Sequence, residues 1–168
     1  ITEAVFGVDL VQTQIRLAAG ERLEDMGLGA NAQLQPRGYA VQWRINAEKL
    51  HADGSATPGH GLVQALRWPQ GPGVRVDTHI AQGSQPSPHY DTLLAKLVVH
   101  APSPQFADVL RRSQRALAQC RIDGIDSNLA LLRALAHHED MATQTLHTRW
   151  FEQALPALLQ AAQQYTNT

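Results

Sequence analysis

The run Tyr39-Ala40-Val41-Gln42-Trp43-Arg44-Ile45-Asn46-Ala47-Glu48 carries apolar side chains at its odd positions and polar ones at most of its even positions. A two-residue period marks a β-strand with unlike faces, because successive side chains point to opposite sides. The spacing predicts Tyr39, Val41, Trp43, Ile45 and Ala47 against a core, with Gln42, Arg44, Asn46 and Glu48 on the other side. Taken alone, the alternation describes a half-buried antiparallel strand whose polar face is solvated, with Arg44 in a row of hydrogen-bonding groups.

Before this strand, residues 8–19 place Val8, Val11, Ile15, Ala18 and Ala19 at helical spacing between Asp9 and Gly20, which predicts one amphipathic helix. Residues 21–37 show no sustained period and read as a connection, and Gly27-Leu28-Gly29-Ala30-Asn31 is too incomplete for a dinucleotide fingerprint. After the strand, residues 51–61 are rich in turn formers, lack the Gly-Lys-Ser/Thr of a phosphate-cradling loop and read as a surface turn. Leu62 to Trp68 and Val74 to Ile80 are β-like runs whose short connection predicts a hairpin, while Leu93 to Val99 is apolar enough for a sheet interior.

The chain then turns helical. Phe106, Val109, Leu110, Leu117 and Cys120 fall on one stripe, with Arg111, Arg112 and Arg115 facing away as a solvated surface. Ser127 is the expected cap of a helix holding Leu129, Leu132, Leu135 and Ala136. A last helix starts near Trp150, with Pro156 expected to kink or interrupt it and the polar end from Gln160 to Thr168 expected to fray. Helix, several strands, then helices argue an α+β class: an antiparallel sheet with helices covering one face, in one domain spanning residues 1–168.

Composition narrows the function classes. Fourteen basic and fifteen acidic residues give a net charge of -1, and no dense basic run suggests capture of nucleic acid or of an anionic membrane. No apolar run approaches a membrane span. The lone Cys120 has no internal partner, reads as a buried structural thiol and suits a reducing cytoplasm. The amino terminus has neither a leader pattern nor an initiator methionine, which suggests a fragment of something longer. His137-His138-Glu139-Asp140 and His147 lack the three-or-four-residue spacing of paired ligands, so no metal site is expected, and no serine sits in a nucleophile-elbow context.

What gives the polar face a function is resemblance. The segment Trp43-Arg44-Ile45-Asn46-Ala47-Glu48 resembles the R-I-N-A-E signature of biotin carboxylases, the ATP-dependent component of acyl-CoA and pyruvate carboxylases and of urea amidolyase. In the same order come Gly7-Val8-Asp9-Leu10-Val11 with Arg16-Leu17-Ala18-Ala19-Gly20, then Arg37-Gly38-Tyr39-Ala40, resembling the family's T-G-x-D-L-V helix and its R-G-H-A. Gly73-Val74-Arg75-Val76-Asp77 is similar to G-V-R-x-D, and Tyr90-Asp91-Thr92-Leu93-Leu94-Ala95-Lys96-Leu97 to Y-D-S-M-I-A-K-L. Asp123-Gly124-Ile125 with Ser127-Asn128, and Thr148-Arg149-Trp150-Phe151-Glu152, complete a resemblance that runs to about residue 152.

The resemblance implies the C-terminal domain of a biotin carboxylase, with the α+β fold already argued. It implies that Arg44 meets the ureido oxygen of biotin, where negative charge develops once the N1′ proton is taken. A guanidinium suits that task through its forked donors and permanent charge. Asp91 belongs to the biotin or bicarbonate site on the same basis, orienting an arginine, beside the equally open reading that it caps a turn before a strand. Arg75 and Asp77, two apart on one strand face, read as a surface pair and not as catalytic groups.

In the family the ATP and Mg carboxylates, the phosphate loop and the general base precede this region, in an ATP-grasp domain whose closing motif ends at residues matching Ile1-Thr2-Glu3. The implied partners are that upstream domain, a biotin carboxyl carrier domain and a second copy in a homodimer. The alternative is a non-catalytic dimerisation module in which Arg44 is unused, and an unrelated α+β binding domain would have to produce the ordered motifs by chance. The run Ala56-Thr57-Pro58-Gly59-His60-Gly61 departs from the family's F-x-P-S-x-G, and residues 76–78 and 87–91 lean towards the urea-amidolyase branch. The resemblance implies that the final acceptor, an acyl-CoA, pyruvate or urea, is selected by a carboxyltransferase outside this chain.

Overall fold

The computed structural model describes residues 1–87 and 89–166. Short helix α1 (Thr2–Phe6) and helix α2 (Leu10–Ala18) lead to strand β1 (Tyr39–Asn46), followed by β2 (Glu48–Leu50), β3 (Ala56–Pro58), β4 (Gly61–Arg67) and β5 (Val74–Thr78). Strand β6 (Leu93–Ala101) precedes α3 (Phe106–Gln119), β7 (Arg121–Ile125), α4 (Leu129–His137), α5 (Glu139–Thr143) and α6 (Trp150–Ala162), and a 3-10 turn covers Gln163–Tyr165. Among the described residues no helix is long and apolar enough to cross a membrane.

Strands β1, β6 and β5 form an antiparallel sheet with β6 in the middle. The nearly continuous apolar run of β6, broken by Lys96 and His100, suits that place, since a strand with partners along both edges is buried over most of its length. Strand β1 alternates as expected over its second half: Trp43 and Ile45, with Ala47 just beyond its end, are buried, while Gln42 and Arg44 are exposed. At its start Val41 is only half-buried, and Tyr39, expected in the core, is 41% exposed and meets Phe106 edge-on at the margin. Trp43 lies opposite Leu97, and both join Val99, Val109, Leu117 and Leu129 in the main core, so α3 and α4 cover this face. Entry into β1 depends on Gly38, whose φ is 75°; a Cβ there would sit 2.0 Å from the Ala101 carbonyl oxygen.

The expected hairpin of residues 62–68 with 74–80 does not form. Strand β5 pairs with β6, and β4 pairs with β7. Strand β6 has two free edges and takes both β1 and β5, and the connection after β4 contains Pro69 and Pro72, which have no N–H for a tight turn. The partner of β4 is a short charged segment that alternation cannot detect. Its Gly124, at φ 89°, lets the backbones close up, since a Cβ would lie 2.1 Å from the Leu62 oxygen.

Other expectations shift at element ends. Helix α2 forms with Asp9 accepting from the Gln12 N–H at 2.8 Å, but its apolar stripe is uncovered in this chain, with Val11 63% and Ile15 64% exposed. Residues 51–61 are more than a turn: β2 and β3 form a ribbon around Asp53 and Gly54. The residue flanking α4 is Asn128 and not Ser127, and its amide makes no cap bond because it is engaged with β1.

Helix α6 runs through Pro156, which lies on the exposed side, where the Glu152 carbonyl left without an N–H can meet water. Nor does the chain fray at Gln160. Leu158 and Ala162 are buried, and the guanidinium of buried Arg133 donates to the carbonyls of Leu117, Cys120 and Tyr165 at 3.1, 2.7 and 3.1 Å. Pro88, Asn167 and Thr168, within the runs 87–91 and 160–168 read above, lie outside the described residues.

Candidate active site

Arg44 stands on the solvent-facing side of β1, between the buried Trp43 and Ile45. Directly opposite it on β6 is Lys96, and on the far side of Lys96 is Asp77 of β5. The pleat thus sets Arg44, Lys96 and Asp77 in one row across the sheet, with Gln42, Val98 and Arg75 in the next. Asp77 is engaged by Arg75, Nε to Oδ1 2.8 Å, and Arg75 also reaches Glu3 of α1 at 3.5 Å. The hydrogen bond to Asp77, and then its charge, raise the Arg75 guanidinium above its ordinary value.

Other ion pairs among the described residues use Arg16, Arg22, Arg111, Arg121 and His138, so neither Arg44 nor Lys96 has a carboxylate within 4.0 Å there. Two cations directly opposite each other on neighbouring strands repel, and an anion or developing oxyanion above them relieves that repulsion. A cavity of about 410 Å³ adjoins this face, lined by Gln42, Arg75, Asp77, Lys96, Val98 and His100 with residues of α1.

The C-terminal end of β1 is braced. Asn46 Nδ2 donates to Glu48 Oε1 at 3.1 Å, the Thr92 hydroxyl donates to Glu48 Oε2 at 3.1 Å, and the Ala47 N–H donates to the Thr92 carbonyl at 2.7 Å. Asp91 closes the turn before β6 by accepting from the Leu93 N–H at 3.0 Å. Among the described residues Asp91 has no arginine within ion-pair distance, and the contact it makes is the turn.

The family with the description "Biotin carboxylase C-terminal domain" matches residues 42–153, a span that takes in Arg44 on the later part of β1 and Lys96 on β6. The chain belongs to this family. The biotin carboxylase of Nostoc sp. is 35% identical over 153 residues, which is 91% of this chain and 32% of that protein. The solved biotin carboxylase domain of a single-chain bacterial carboxylase is 44% identical with a TM-score of 0.87, over 98% of this chain and 37% of that one. The biotin carboxylase domain dimer of the Hydrogenobacter thermophilus 2-oxoglutarate carboxylase, solved with MgADP, ADP and bicarbonate, is 33% identical with a TM-score of 0.82, over 94% and 33%. The chain thus spans about a third of the length of the curated biotin carboxylases it matches.

Within this biotin carboxylase C-terminal domain the remaining chemically suggestive residues serve packing. His137 Nδ1 meets the Arg133 carbonyl at 2.8 Å and its ring stacks on Tyr165. His138 caps α5, and Asp140 accepts from the Trp150 indole N–H at 2.6 Å. Among the described residues no three His, Cys, Asp or Glu side chains gather as a metal site.

Cys120 is buried, and burial pushes its thiol up to about 12 from an ordinary 9.0. Folded protein is therefore expected to resist thiol-specific reagents at neutral pH and to react once denatured. Between about pH 9 and 12 the unfolded thiol loses its proton while the folded one keeps it. Cys120 thus lowers stability as pH rises through that window, and a Cys120→Ala variant titrated by denaturant should show a shallower decline. Rapid labelling of the native protein would contradict this.

The sequence pointed to Arg44 only through the family motif, and it missed the role of Asn128 and the opposition of Arg44 and Lys96. A helix pattern holds no sign that a capping residue reaches a strand 82 positions earlier, and register needs the paired strand.

Proposed function

We propose that this chain is the C-terminal wall of the biotin site in an ATP-dependent biotin carboxylase. In the parent enzyme an upstream ATP-grasp part holds ATP, Mg and bicarbonate, and a carrier domain presents biotin, which is the substrate of this half-reaction. Arg44 donates to the biotin ureido oxygen as deprotonation at N1′ builds charge there, and Lys96 beside it adds to the positive field. Asp91 belongs to the same wall through the turn that sets the start of β6. The observation that carries this reading is the placement of Arg44, fixed by buried neighbours yet presented outward opposite a second cation.

The upstream part is supported by the length of the biotin carboxylase relative, about three times that of this chain. A homodimer and cytoplasmic residence belong to the same proposal, the dimer supported by the dimeric relative. The chain alone is expected to release no phosphate from ATP with bicarbonate and free biotin, because its described residues form neither a phosphate-cradling loop nor a magnesium cluster. The full-length enzyme should fix labelled bicarbonate on its carrier. Turnover by the isolated chain above a heat-killed control, or no ATP-dependent labelling by the full-length enzyme, would overturn the assignment.

A further inference from the structure

Strand β1 is the outer strand of its sheet, so the backbone groups on its free edge have no strand partner. At the level of Arg44 that edge is closed by one residue. The Nδ2 of Asn128 donates to the Arg44 carbonyl at 3.1 Å, its Oδ1 accepts from the Asn46 N–H at 3.0 Å, and its own N–H donates to the Asn46 carbonyl at 3.1 Å. The amide orientation is dictated by its partners, since a carbonyl can only accept and a backbone N–H can only donate. This clamp sits where the pairing of β1 with β6 shifts register, between Ile45 and Asn46, the place where an edge strand is most free to twist.

Asn128 is itself held firmly. Its carbonyl accepts from the Leu132 N–H at 3.0 Å as α4 begins, and the next residue, Leu129, is buried in the main core beneath β1. The helix therefore carries a fixed amide to the backbone on both sides of Ile45, and the direction in which the Arg44 side chain leaves the sheet depends on that backbone.

We infer that Asn128 is a positioning residue for Arg44, holding the guanidinium at the height and angle at which it meets the biotin ureido oxygen. This rests on the proposed role of Arg44. On this reading Asn128 acts through the strand that presents the arginine, by its bonds to the Arg44 and Asn46 backbone.

The test uses the full-length enzyme with Asn128→Ala, Asn128→Asp, Arg44→Ala and the Arg44→Ala/Asn128→Ala double variant. Asn128→Ala is expected to lower kcat for biotin carboxylation roughly 10- to 100-fold, the effect of a small misplacement of a reacting group, with the KM for ATP unchanged. Asn128→Asp still accepts from Asn46 but turns an oxygen towards the Arg44 carbonyl, so it should be at least as slow while keeping the helix-to-strand contact. In the Arg44→Ala background, Asn128→Ala should cost no more than about twofold, because its effect passes through the arginine.

An equal loss in both backgrounds, or a parental rate for Asn128→Asp, sinks this inference alone. A parental rate for Arg44→Ala sinks the role of Arg44 and this inference with it. A global loss of structure in Asn128→Ala moves the ATP parameters as well and leaves Asn128→Asp to decide.

Discussion

Replacing Arg44 by alanine in the full-length enzyme is expected to slow biotin carboxylation roughly 10²- to 10³-fold, the usual cost of removing one donor to a developing oxyanion. The fold should be nearly indifferent. Arg44 is exposed on the polar face of β1, and such substitutions stay within about 0.5 kcal/mol. Removing one of two facing cations also takes away the repulsion from Lys96, so any shift in the denaturation midpoint is expected to be small and upward. ATP affinity should be retained, because the nucleotide is assigned to the upstream part. Arg44→Lys should recover only part of the rate, since a point charge cannot reproduce two forked donors. Labelled bicarbonate transferred to the carrier, measured beside nucleotide binding, gives the answer, and transfer by Arg44→Ala at the parental rate would return the arginine to a solvated strand position.

The second large effect concerns the opposite face of the same strand. Trp43 is 3% exposed and packs across from Leu97 in the core shared with α3 and α4. Trp43→Ala removes a large side chain from a site that cannot collapse between a central strand and two helices, and should destabilise the protein by about 3–5 kcal/mol. The indole N–H has no partner among the described residues, so Trp43→Phe gives up volume but also removes a buried unpaired donor, and should cost much less than alanine. Denaturant titration of the two variants reads this directly. An unchanged midpoint and slope in Trp43→Ala would mean that the faces of β1 are reversed, and the outward presentation of Arg44 would fall with it.

The two faces of residues 41–47 were legible in the sequence because alternation is a local property: each side chain's direction follows from its neighbours along the chain, whereas the exposure of Tyr39 depends on where the core ends. The same locality made β6 readable as an interior strand, residues 106–119 as a helix on an apolar stripe, and Cys120 as a buried thiol. Pairing is not local. Residues 62–68 and 74–80 look like a hairpin when read by themselves, yet β6 competes for β5, and the match for β4 is a five-residue segment too short and too charged to announce itself.

The site divides in the same way. Arg44 could be picked out, through the family motif, and placed on a polar face. That Lys96 faces it, that Asp77 is held away by Arg75, and that Asn128 closes the strand edge all depend on register and on contacts between residues up to 84 apart. Such contacts leave no period in the sequence, because a hydrogen bond or a facing charge is set by three-dimensional proximity, which only the packed strands and helices decide.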